Sequence, residues 1–421
     1  MEAVPKSTVC MARGRSNKTL IYFSSVPYNS YAQRPHFMAS AFADADFDSI
    51  LWVDPYPTRL PNLSDLHRLR GRTSGMARVA AKIELMRTFA LPIEPLPLGS
   101  FLNHRLCWAR ARRRLHQFAS DSDHCVIGVG RPSALAEWAL ANLAHERSFI
   151  DILDNFPAFY GGLSKRSMHR RLRKLCGSVT DVFCSSSHLA GVVRKIREDA
   201  TIVLNGYPTA HLPEPSKPAM RKYIGYVGTI GNWFDWKLVI ELGRALPHAT
   251  IRLIGPEFIP RPSDLPPNVE MLGERPFEEM ARLVSEFAVG LIPFRVNELT
   301  EGVDPIKFYE YRSLGVPIWS TRFGEMRSRG ADDGVFFIRQ GDDWEALWNQ
   351  ANAIRFDEAD IFSFRSDVTW ARRLEPILDR AIRPRGDAVL HPAPNKLIRA
   401  PDPDIAAQGM DNLLPQFISK Q

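Results

Sequence analysis

The sequence predicts an α/β fold built from two doubly wound parallel sheets, one in each half of the chain. Short apolar runs of strand length alternate with amphipathic stretches of helix length through both halves. Residues 207–220, rich in proline and without periodicity, separate the halves as a linker. A length of 421 residues is enough for two domains with one hydrophobic core each. Ligands of such sheets bind beyond the carboxyl ends of the strands, so we expect the chemistry there.

Residues 19–206 are predicted to form the first domain. Its predicted strands are 20–26, 49–54, 124–130, 148–153, 181–186 and 201–205. The predicted helices between them are 34–44, 103–119, 133–144, 164–175 and 187–197. This order is typical of a parallel sheet covered by helices on both faces. Residues 56–100 are rich in proline and arginine and show no period that predicts an element.

Residues 221–365 repeat the same plan as a second Rossmann-like domain. The predicted strands are 223–227, 250–254, 268–272, 287–292, 316–320 and 335–339. The predicted helices are 235–246, 276–285, 304–314 and 342–354. A last helix is predicted over 366–382, with Ser366 or Asp367 as its N-cap. The terminal segments 1–18 and 384–421 are predicted to be disordered.

Several classes of protein are disfavoured by composition. No apolar run approaches the roughly 18 to 20 residues that a membrane span needs. The first 18 residues lack the apolar core of a secretory signal, so we expect a cytoplasmic protein. Five cysteines without a CxxC pair indicate neither a zinc site nor a disulfide framework. The DxD sequences at 44–46, 46–48, 121–123 and 402–404 do not follow apolar strands, so no metal is expected.

The positive charge is concentrated in two segments of the first half. The chain carries 54 Lys plus Arg against 47 Asp plus Glu. Residues 105–114 hold five arginines, and residues 165–174 hold six Lys or Arg. They predict a surface for an anionic partner such as a membrane leaflet, a lipid phosphate or nucleic acid, with solvated helix faces as the alternative. No nucleic-acid-binding signature accompanies them, so nucleic acid is not expected as a partner.

The stretch DPIKFYEYRSLGVPIWST predicts a helix that carries an unusual cation near its start. Asp304 is expected to cap it and Pro305 to occupy the first helical position. Lys307 would then join the unpaired amides of the first turn in a positive pocket that suits a diphosphate. Glu310 lies one turn deeper on the same face, where a carboxylate can accept hydrogen bonds from ribose hydroxyls. The alternative is an ordinary Lys–Glu surface pair.

A glycine-rich turn follows the first predicted strand of the second half. The stretch YIGYVGTIGNWFDW contains Gly225, Gly228 and Gly231 ahead of a helix. Glycines at a strand end allow a ligand to approach the main chain and its amides. Their spacing differs from the dinucleotide fingerprint, so an ordinary tight turn is the alternative.

In the first half, candidate catalytic groups follow two strands. Asp154 ends the apolar strand in SFIDILDNFPAFYGG and is a candidate general base, with capping of the next turn as the alternative. Asp151, inside that strand, is a weaker candidate. Arg34 and His36 lie in the first turn between a strand and a helix, where they are candidates to contact an acceptor or to have a structural role.

The second half resembles the carboxyl-terminal nucleotide-sugar domain of the group-one glycosyltransferases of the GT-B fold. The resemblance is carried by GYVGTIGNWFDWKLVIELGRALPHATIRLIGP, NVEMLGERPFEEMARLVSEFAVGLIPF and NELTEGVDPIKFYEYRSLGVPIWST. The first half resembles the acceptor domain in QRPHFMASAF, IDILDNFPAF and VTDVFCSSSHLAGVVRK. Bacterial exopolysaccharide and teichuronic-acid transferases are the most similar members, and the resemblance spans residues 20–383.

The resemblance implies roles for individual residues. Lys307 would neutralise the nucleotide diphosphate, Glu310 would bind the ribose, and Asp154 would occupy the acceptor-side position of a catalytic carboxylate. The implied donor-binding residues are Gly228, Thr229, Glu274, Arg275, Thr300, Asp304, Lys307 and Glu310. In the group-one pattern two glutamates are separated by seven residues, whereas eight separate Glu301 from Glu310, so Asp304 is expected near the first role. The segment 366–383 would cross back to the first domain.

The sequence therefore predicts a metal-independent glycosyltransferase of the hexosyltransferase type. It would move a sugar from a UDP- or GDP-linked donor to a glycan or lipid-linked acceptor in surface polysaccharide biosynthesis. Asp154 and Lys307 are the predicted catalytic residues, and no cofactor is expected. Peripheral contact with the inner membrane face is expected from the basic segments. The alternatives are a GT-B nucleotide-sugar epimerase and a non-catalytic glycan-binding protein.

Overall fold

The computed structural model of the chain describes residues 16–58, 81–94, 96–215, 217 and 221–382. The predicted disordered tail, 384–421, lies outside the described residues, as do residues 1–15 of the predicted disordered amino terminus. Lys18, the last residue of that predicted segment, is the first residue of a strand. Parts of the predicted linker, residues 216 and 218–220, also lie outside the described residues.

The first half forms a seven-stranded parallel sheet with flanking helices. Its strands are β1 Lys18–Phe23, β2 Ser49–Val53, β3 Ile83–Met86, β4 His124–Val129, β5 Arg147–Ile152, β6 Asp181–Cys184 and β7 Thr201–Ile202. Its helices are α1 Arg34–Asp44, α2 Pro97–Leu106, α3 Ala109–Ser120, α4 Ala134–Asn142, α5 Gly162–Ser178 and α6 Ser187–Arg194. The strand order is β3-β2-β1-β4-β5-β6-β7.

The second half forms a six-stranded parallel sheet. Its strands are β8 Tyr223–Val227, β9 Thr250–Ile254, β10 Val269–Gly273, β11 Phe287–Ile292, β12 Ile318–Ser320 and β13 Val335–Phe337. Its helices are α7 Trp236–Ala245, α8 Phe277–Ser285, α9 Ile306–Ser313, α10 Trp344–Ala353, α11 Glu358–Asp367 and α12 Trp370–Ile382. The order β10-β9-β8-β11-β12-β13 repeats the doubly wound plan. The predicted fold class of two doubly wound parallel sheets is confirmed.

The central strands of both sheets are mostly buried on both faces, which explains their largely apolar sequences. All six residues of β11, FAVGLI, are buried. In β1, Leu20 and Tyr22 belong to one hydrophobic cluster and Ile21 and Phe23 to another, so the two clusters cover opposite faces of the first sheet.

Two predicted helices are each divided in the structure. The predicted helix 103–119 is interrupted between α2 and α3, where the side chain of Trp108 is fully buried. The predicted helix 366–382 is interrupted between α11 and α12. The N-cap expected at Ser366 or Asp367 is therefore wrong, since both residues lie in the last turn of α11.

The interruption before α12 follows from two different packing partners. Phe364 of α11 packs against Phe308 of α9 in the second half. Trp370 of α12 instead stacks on Phe37 of the first half, with ring centroids 4.8 Å apart. Trp370, Leu374 and the next apolar turns of α12 belong to the core of the first sheet. The last helix therefore crosses back to the first half.

Loops at the carboxyl ends of both sheets contact one another. Asn155, after β5, donates from Nδ2 to the carbonyl of Glu298, after β11, at 3.2 Å. Ser186, after β6, donates from Oγ to the carbonyl of Gly302 at 2.9 Å. Tyr31, after β1, donates to the carboxylate of Glu274, after β10. The ligand-binding edges of the two sheets thus meet, as a cleft between two Rossmann-like domains requires.

Candidate active site

Three glycines form a surface without side chains at the ends of adjacent strands. Gly228, Gly255 and Gly273 lie at the carboxyl ends of β8, β9 and β10 and have φ angles of 135°, 140° and 65°. The Gly228 amide donates to the carbonyl of Ile254, and the Gly255 amide donates to the carbonyl of Gly273, both at 2.8 Å. A Cβ at Gly255 would overlap the Gly228 carbonyl. Glycine is required at these turns because other residues rarely adopt such φ angles.

The ammonium of Lys307 lies over this surface. A Cβ at position 228 would overlap Lys307 Nζ, so the glycine makes room for the cation. Nζ lies 5.2 Å from the ring centroid of Tyr226 and 5.7 Å from that of Phe294. It makes no hydrogen bond or ion pair with any residue that the structure describes. Burial lowers the pKa of Lys307, and the nearby Glu310 carboxylate partly opposes that effect.

Glu310 lies one turn further along α9. Its side chain is buried, and it accepts a hydrogen bond from the Tyr207 hydroxyl at 3.3 Å. Among the described residues it has no other hydrogen-bond partner and no ion pair. Burial raises the pKa of Glu310 to about 7, against the opposing effects of Lys307 and of the Tyr207 hydrogen bond. A partly buried cation and a buried carboxylate thus share one site without a direct contact that would neutralise them.

The start of α9 differs from the sequence prediction. Pro305 is the N-cap rather than the first helical residue, so Lys307 is the second residue of the helix. Asp304 does not cap α9, and that expectation was wrong because stronger partners hold its carboxylate. The carboxylate accepts hydrogen bonds from Tyr309 at 2.7 Å and the Asn205 amide at 2.8 Å, and pairs with Arg329 at 2.6 Å. The first amides of α9 receive no side-chain cap from the described residues and face the ligand edge.

The carboxylate of Asp154 lies two residues beyond β5. It has no hydrogen bond or ion pair within the part of the chain that the structure describes. Burial raises its pKa to about 6. The expected alternative, a cap, is not realised, since Asn155 is the N-cap of the following short 3-10 turn. The main chain of Asn155 packs against Gly302, where a Cβ would lie 3.3 Å from its nitrogen.

Arg34 and His36 have structural partners in place of an acceptor. Arg34 donates from Nε and Nη2 to both oxygens of Asp151, each at 2.8 Å, and its side chain is 3% exposed. His36 Nδ1 accepts from the Gln33 amide at 3.2 Å, and its Nε2 donates to the Tyr28 carbonyl at 2.9 Å. These partners already bind the polar groups of both side chains. The structure therefore does not support the expected contact of Arg34 and His36 with an acceptor sugar. Asp151 is not supported as a catalytic residue either, because both of its carboxylate oxygens accept hydrogen bonds from Arg34.

The four remaining predicted donor residues differ in their burial and in their hydrogen-bond partners. Thr300 is buried and donates to the Arg295 carbonyl at 2.5 Å, so it shapes its own loop. Glu274 is exposed and accepts from Tyr31. Arg275 is exposed and, together with residues of β9, β10 and α8, lines a surface cavity of about 310 Å³. Thr229 follows the Gly228 turn, and its carbonyl accepts from Tyr226 at 2.7 Å.

Sequence reasoning missed several residues that shape the site. The sequence did contain a signal for Gly255 and Gly273, because a glycine directly follows each of three consecutive predicted strands. Tyr207 lies 103 positions from Glu310, and no local pattern connects them. Glu325 accepts from the Ser187 amide at 2.7 Å and thereby joins the start of α6 to the second half. Glu301, with its atypical spacing, pairs at the surface with Arg327 at 3.0 Å.

No protein-family model and no curated protein matches the chain. Solved structures do match. TarM superposes with a TM-score of 0.58 at 10% identity, over 88% of this chain and 99% of TarM. The chain has the GT-B fold.

Two further GT-B structures show the same similarity. HepE from Anabaena, in complex with UDP-glucose, has a TM-score of 0.51 at 15% identity, over 86% of this chain and 95% of HepE. WaaG, a glycosyltransferase involved in lipopolysaccharide biosynthesis, has a TM-score of 0.51 at 14% identity, over 85% of this chain and 95% of WaaG. The similarity to GT-B enzymes therefore extends over both halves of the chain.

Two further properties bear on the site and its surroundings. None of the described helices is long and apolar enough to cross a membrane. Within the described ranges, no group of three or more His, Cys, Asp or Glu side chains is placed to hold a metal ion.

Proposed function

We propose that the chain is a glycosyltransferase that moves a sugar from a nucleotide diphosphate donor to a glycan or lipid-linked acceptor. The observation that carries the proposal is the ammonium of Lys307. It lies at a glycine surface on the ligand edge of the second sheet, partly buried and without an ion pair to any residue that the structure describes. A diphosphate supplies the missing negative charge, and the free amides of the first turn of α9 supply donors for its oxygens.

Each part of a donor has a matching group in this site. The diphosphate fits beside Lys307 and Gly228, and Glu310 can accept hydrogen bonds from ribose hydroxyls. The structure of HepE with UDP-glucose supports a uridine donor. The cation of Lys307 would stabilise the leaving diphosphate without a divalent metal. Glu274 and Arg275 are proposed to lie beside the nucleobase of the donor.

Asp154 is the proposed general base. With a pKa of about 6 it is mostly ionised at neutral pH and can take the proton of an acceptor hydroxyl. The acceptor oxygen then forms a bond to the anomeric carbon while the bond from that carbon to the diphosphate breaks. Lys307 stabilises the charge that develops on the diphosphate.

The proposed acceptor is presented at an anionic membrane in surface polysaccharide biosynthesis. Residues 97–120 and 162–178 contain no Asp or Glu. Large apolar side chains project from α2, with Phe101 51% and Leu106 70% exposed. Basic helices with exposed apolar side chains suit an anionic leaflet. The structural similarity to WaaG, a glycosyltransferase involved in lipopolysaccharide biosynthesis, supports an acceptor of this type.

The membrane proposal is tested by sedimentation with vesicles of anionic and of zwitterionic phospholipid. We expect the protein to bind the anionic vesicles and Leu106→Glu to bind them less. Phe258→Glu is the control, because Phe258 is an exposed apolar residue of the second half. Equal binding to both vesicle types would contradict the proposal.

The reaction is tested by incubating the protein with UDP- and GDP-linked sugars in the presence of EDTA. We expect one sugar nucleotide to raise the melting temperature and to release its nucleoside diphosphate slowly by hydrolysis. A lipid-linked or glycan acceptor should accelerate that release. Conversion of the donor into a different sugar nucleotide would indicate an epimerase. Binding without any release under all acceptor conditions would indicate a non-catalytic protein.

A further inference from the structure

A chain of polar contacts, with a buried ion pair at each end, links the two halves of the molecule. Its first member is the ion pair of Arg34 with Asp151, whose side chains are 3% and 0% exposed. Asp151 lies in β5, three residues before Asp154. The pair is bidentate, so it fixes both the position and the plane of the carboxylate. It therefore anchors the strand that ends near the proposed base.

A second buried ion pair lies in the other half. Arg329 pairs with Asp304 at 2.6 Å, and these side chains are 7% and 0% exposed. Asp304 immediately precedes Pro305, the N-cap of α9, and is three residues before Lys307. This pair therefore anchors the end of the helix that carries the proposed diphosphate-binding cation.

Asn205 connects the two ion pairs. Its Oδ1 accepts from Arg34 Nη1 at 3.3 Å. Its Nδ2 donates to the main-chain carbonyl of Asp304 at 2.7 Å, and its main-chain amide donates to Asp304 Oδ2 at 2.8 Å. The carbonyl and the amide of one planar side chain thus contact opposite halves of the molecule. Asn205 also follows β7 and precedes the segment that leads into the second sheet.

We infer that Asn205 is a positioning residue that sets the distance between Asp154 and Lys307 by joining these two ion pairs. The inference rests on the proposed function for its catalytic consequence. Sugar transfer requires the general base and the leaving diphosphate to be held at a fixed distance from each other across the cleft. Binding of a nucleotide, in contrast, requires the second half alone. Loss of the connection should therefore reduce turnover and leave nucleotide affinity unchanged, because small misplacements of reacting groups have large kinetic effects.

The test uses Asn205→Ala and Asn205→Asp in the full chain. Alanine removes both side-chain contacts. Aspartate keeps an oxygen for Arg34 but places another oxygen against the Asp304 carbonyl, so it should not restore the link. For both variants we expect turnover at saturating sugar nucleotide to fall about 10- to 100-fold. The dissociation constant for UDP or GDP should change by less than about twofold.

Asn268→Ala is the matched control. Asn268 donates from Nδ2 to the carbonyls of Gly243, Leu246 and Ala249 at 3.1, 2.9 and 2.8 Å, all within the second half. We expect this variant to lower the melting temperature without changing turnover measured well below it. A similar loss of turnover in Asn268→Ala would overturn the inference, since general destabilisation would then explain the effect.

Hydrogen–deuterium exchange without substrate separates this inference from the proposed function. We expect Asn205→Ala to increase deuterium uptake in two segments where the halves meet, 185–190 and 298–309, and Asn268→Ala to leave both unchanged. Unchanged uptake in Asn205→Ala would overturn the inference even if the wild-type chain is an active transferase. If Asn205→Ala increases deuterium uptake but the wild-type chain binds no sugar nucleotide, the link through Asn205 is supported and only the proposed function is contradicted. Unchanged turnover in an active Asn205→Ala variant, or full activity in Asn205→Asp, would also overturn it.

Discussion

At the scale of single residues, the site holds charges that none of the described residues neutralises by direct contact. Lys307 lies near the positive end of the α9 dipole, close to two aromatic rings and over a glycine turn. The dipole disfavours a partly buried ammonium at this place, and the aromatic rings compensate its lost hydration only weakly. Unfavourable placement of this kind is typical of functional sites, where a ligand supplies the missing partner.

The spacing of three residues was enough to predict that Lys307 and Glu310 share one helix face. Their roles in donor binding were implied by the resemblance to the group-one glycosyltransferases and stay predictions. The partners of the Asp304 carboxylate could not be predicted from the sequence. Capping is a local rule, whereas its partners Asn205 and Arg329 lie 99 and 25 positions away. The partner of Arg34 could not be predicted for the same reason, since Asp151 lies 117 positions from Arg34.

Asp154→Asn tests the proposed base. We expect turnover to fall about 10²- to 10⁴-fold with nucleotide affinity unchanged, because the amide cannot accept a proton. In the wild-type chain turnover should rise with pH through about 6, since only the ionised carboxylate acts as a base. Asp121→Asn, a substitution at the exposed C-cap of α3, is the control and should behave as wild type. A flat turnover profile between pH 5 and 8 would contradict the assignment.

Glu310 makes stability depend on pH in a defined direction. Its pKa is raised from 4.5 to about 7 in the folded chain, so between these values the folded state binds the proton that the unfolded chain has lost. The free energy of unfolding should therefore fall as pH rises from about 4.5 to 7. Glu310→Gln removes this dependence, and at pH 8 we expect it to be more stable than wild type by about 1–3 kcal/mol. Urea denaturation at pH 5 and pH 8 measures the difference, and a less stable variant at pH 8 would contradict it.

At the scale of elements, the sequence patterns gave the most accurate bounds for interior strands of the second sheet. The strands β8, β9 and β11 begin and end where the patterns placed them. β3 was missed because it is a four-residue edge strand within a stretch rich in proline and arginine. The interruption between α11 and α12 could not be predicted, since it depends on which core each helix packs against.

Trp370→Ala tests the return of α12 to the first half. The indole stacks on Phe37 and is 6% exposed, so its loss should lower the free energy of unfolding by about 3–5 kcal/mol. Phe362→Ala, at a residue of α11 that is 45% exposed, should cost less than about 1 kcal/mol. Urea denaturation provides both values. Equal costs would mean that α12 does not contribute to the core as described.

At the scale of the whole molecule, two sheets of the same design meet at their ligand-binding edges. The contacts that join them link Asn155 to Glu298, Ser186 to Gly302 and Asn205 to Asp304. Each partner follows a strand, so the doubly wound topology itself brings the loop of the proposed base, Asp154, to the edge of the second sheet that carries Lys307. The sequence was sufficient to predict this architecture, and its assignment of the donor side of the site stays a prediction. It was not sufficient for the contacts between the halves, which join residues about a hundred positions apart or more.

The most direct test of the account is titration calorimetry of UDP and GDP in the presence of EDTA. We expect the wild-type chain to bind one of them, and Lys307→Ala to lose at least about tenfold in affinity, because a charge-assisted contact to phosphate contributes about 1.5–3 kcal/mol. Lys222→Ala, at an exposed residue beside the opposite end of β8, should bind as wild type does. Equal affinity of Lys307→Ala and wild type, or no binding of either nucleotide by the wild-type chain, would contradict the claim that this cation holds a diphosphate.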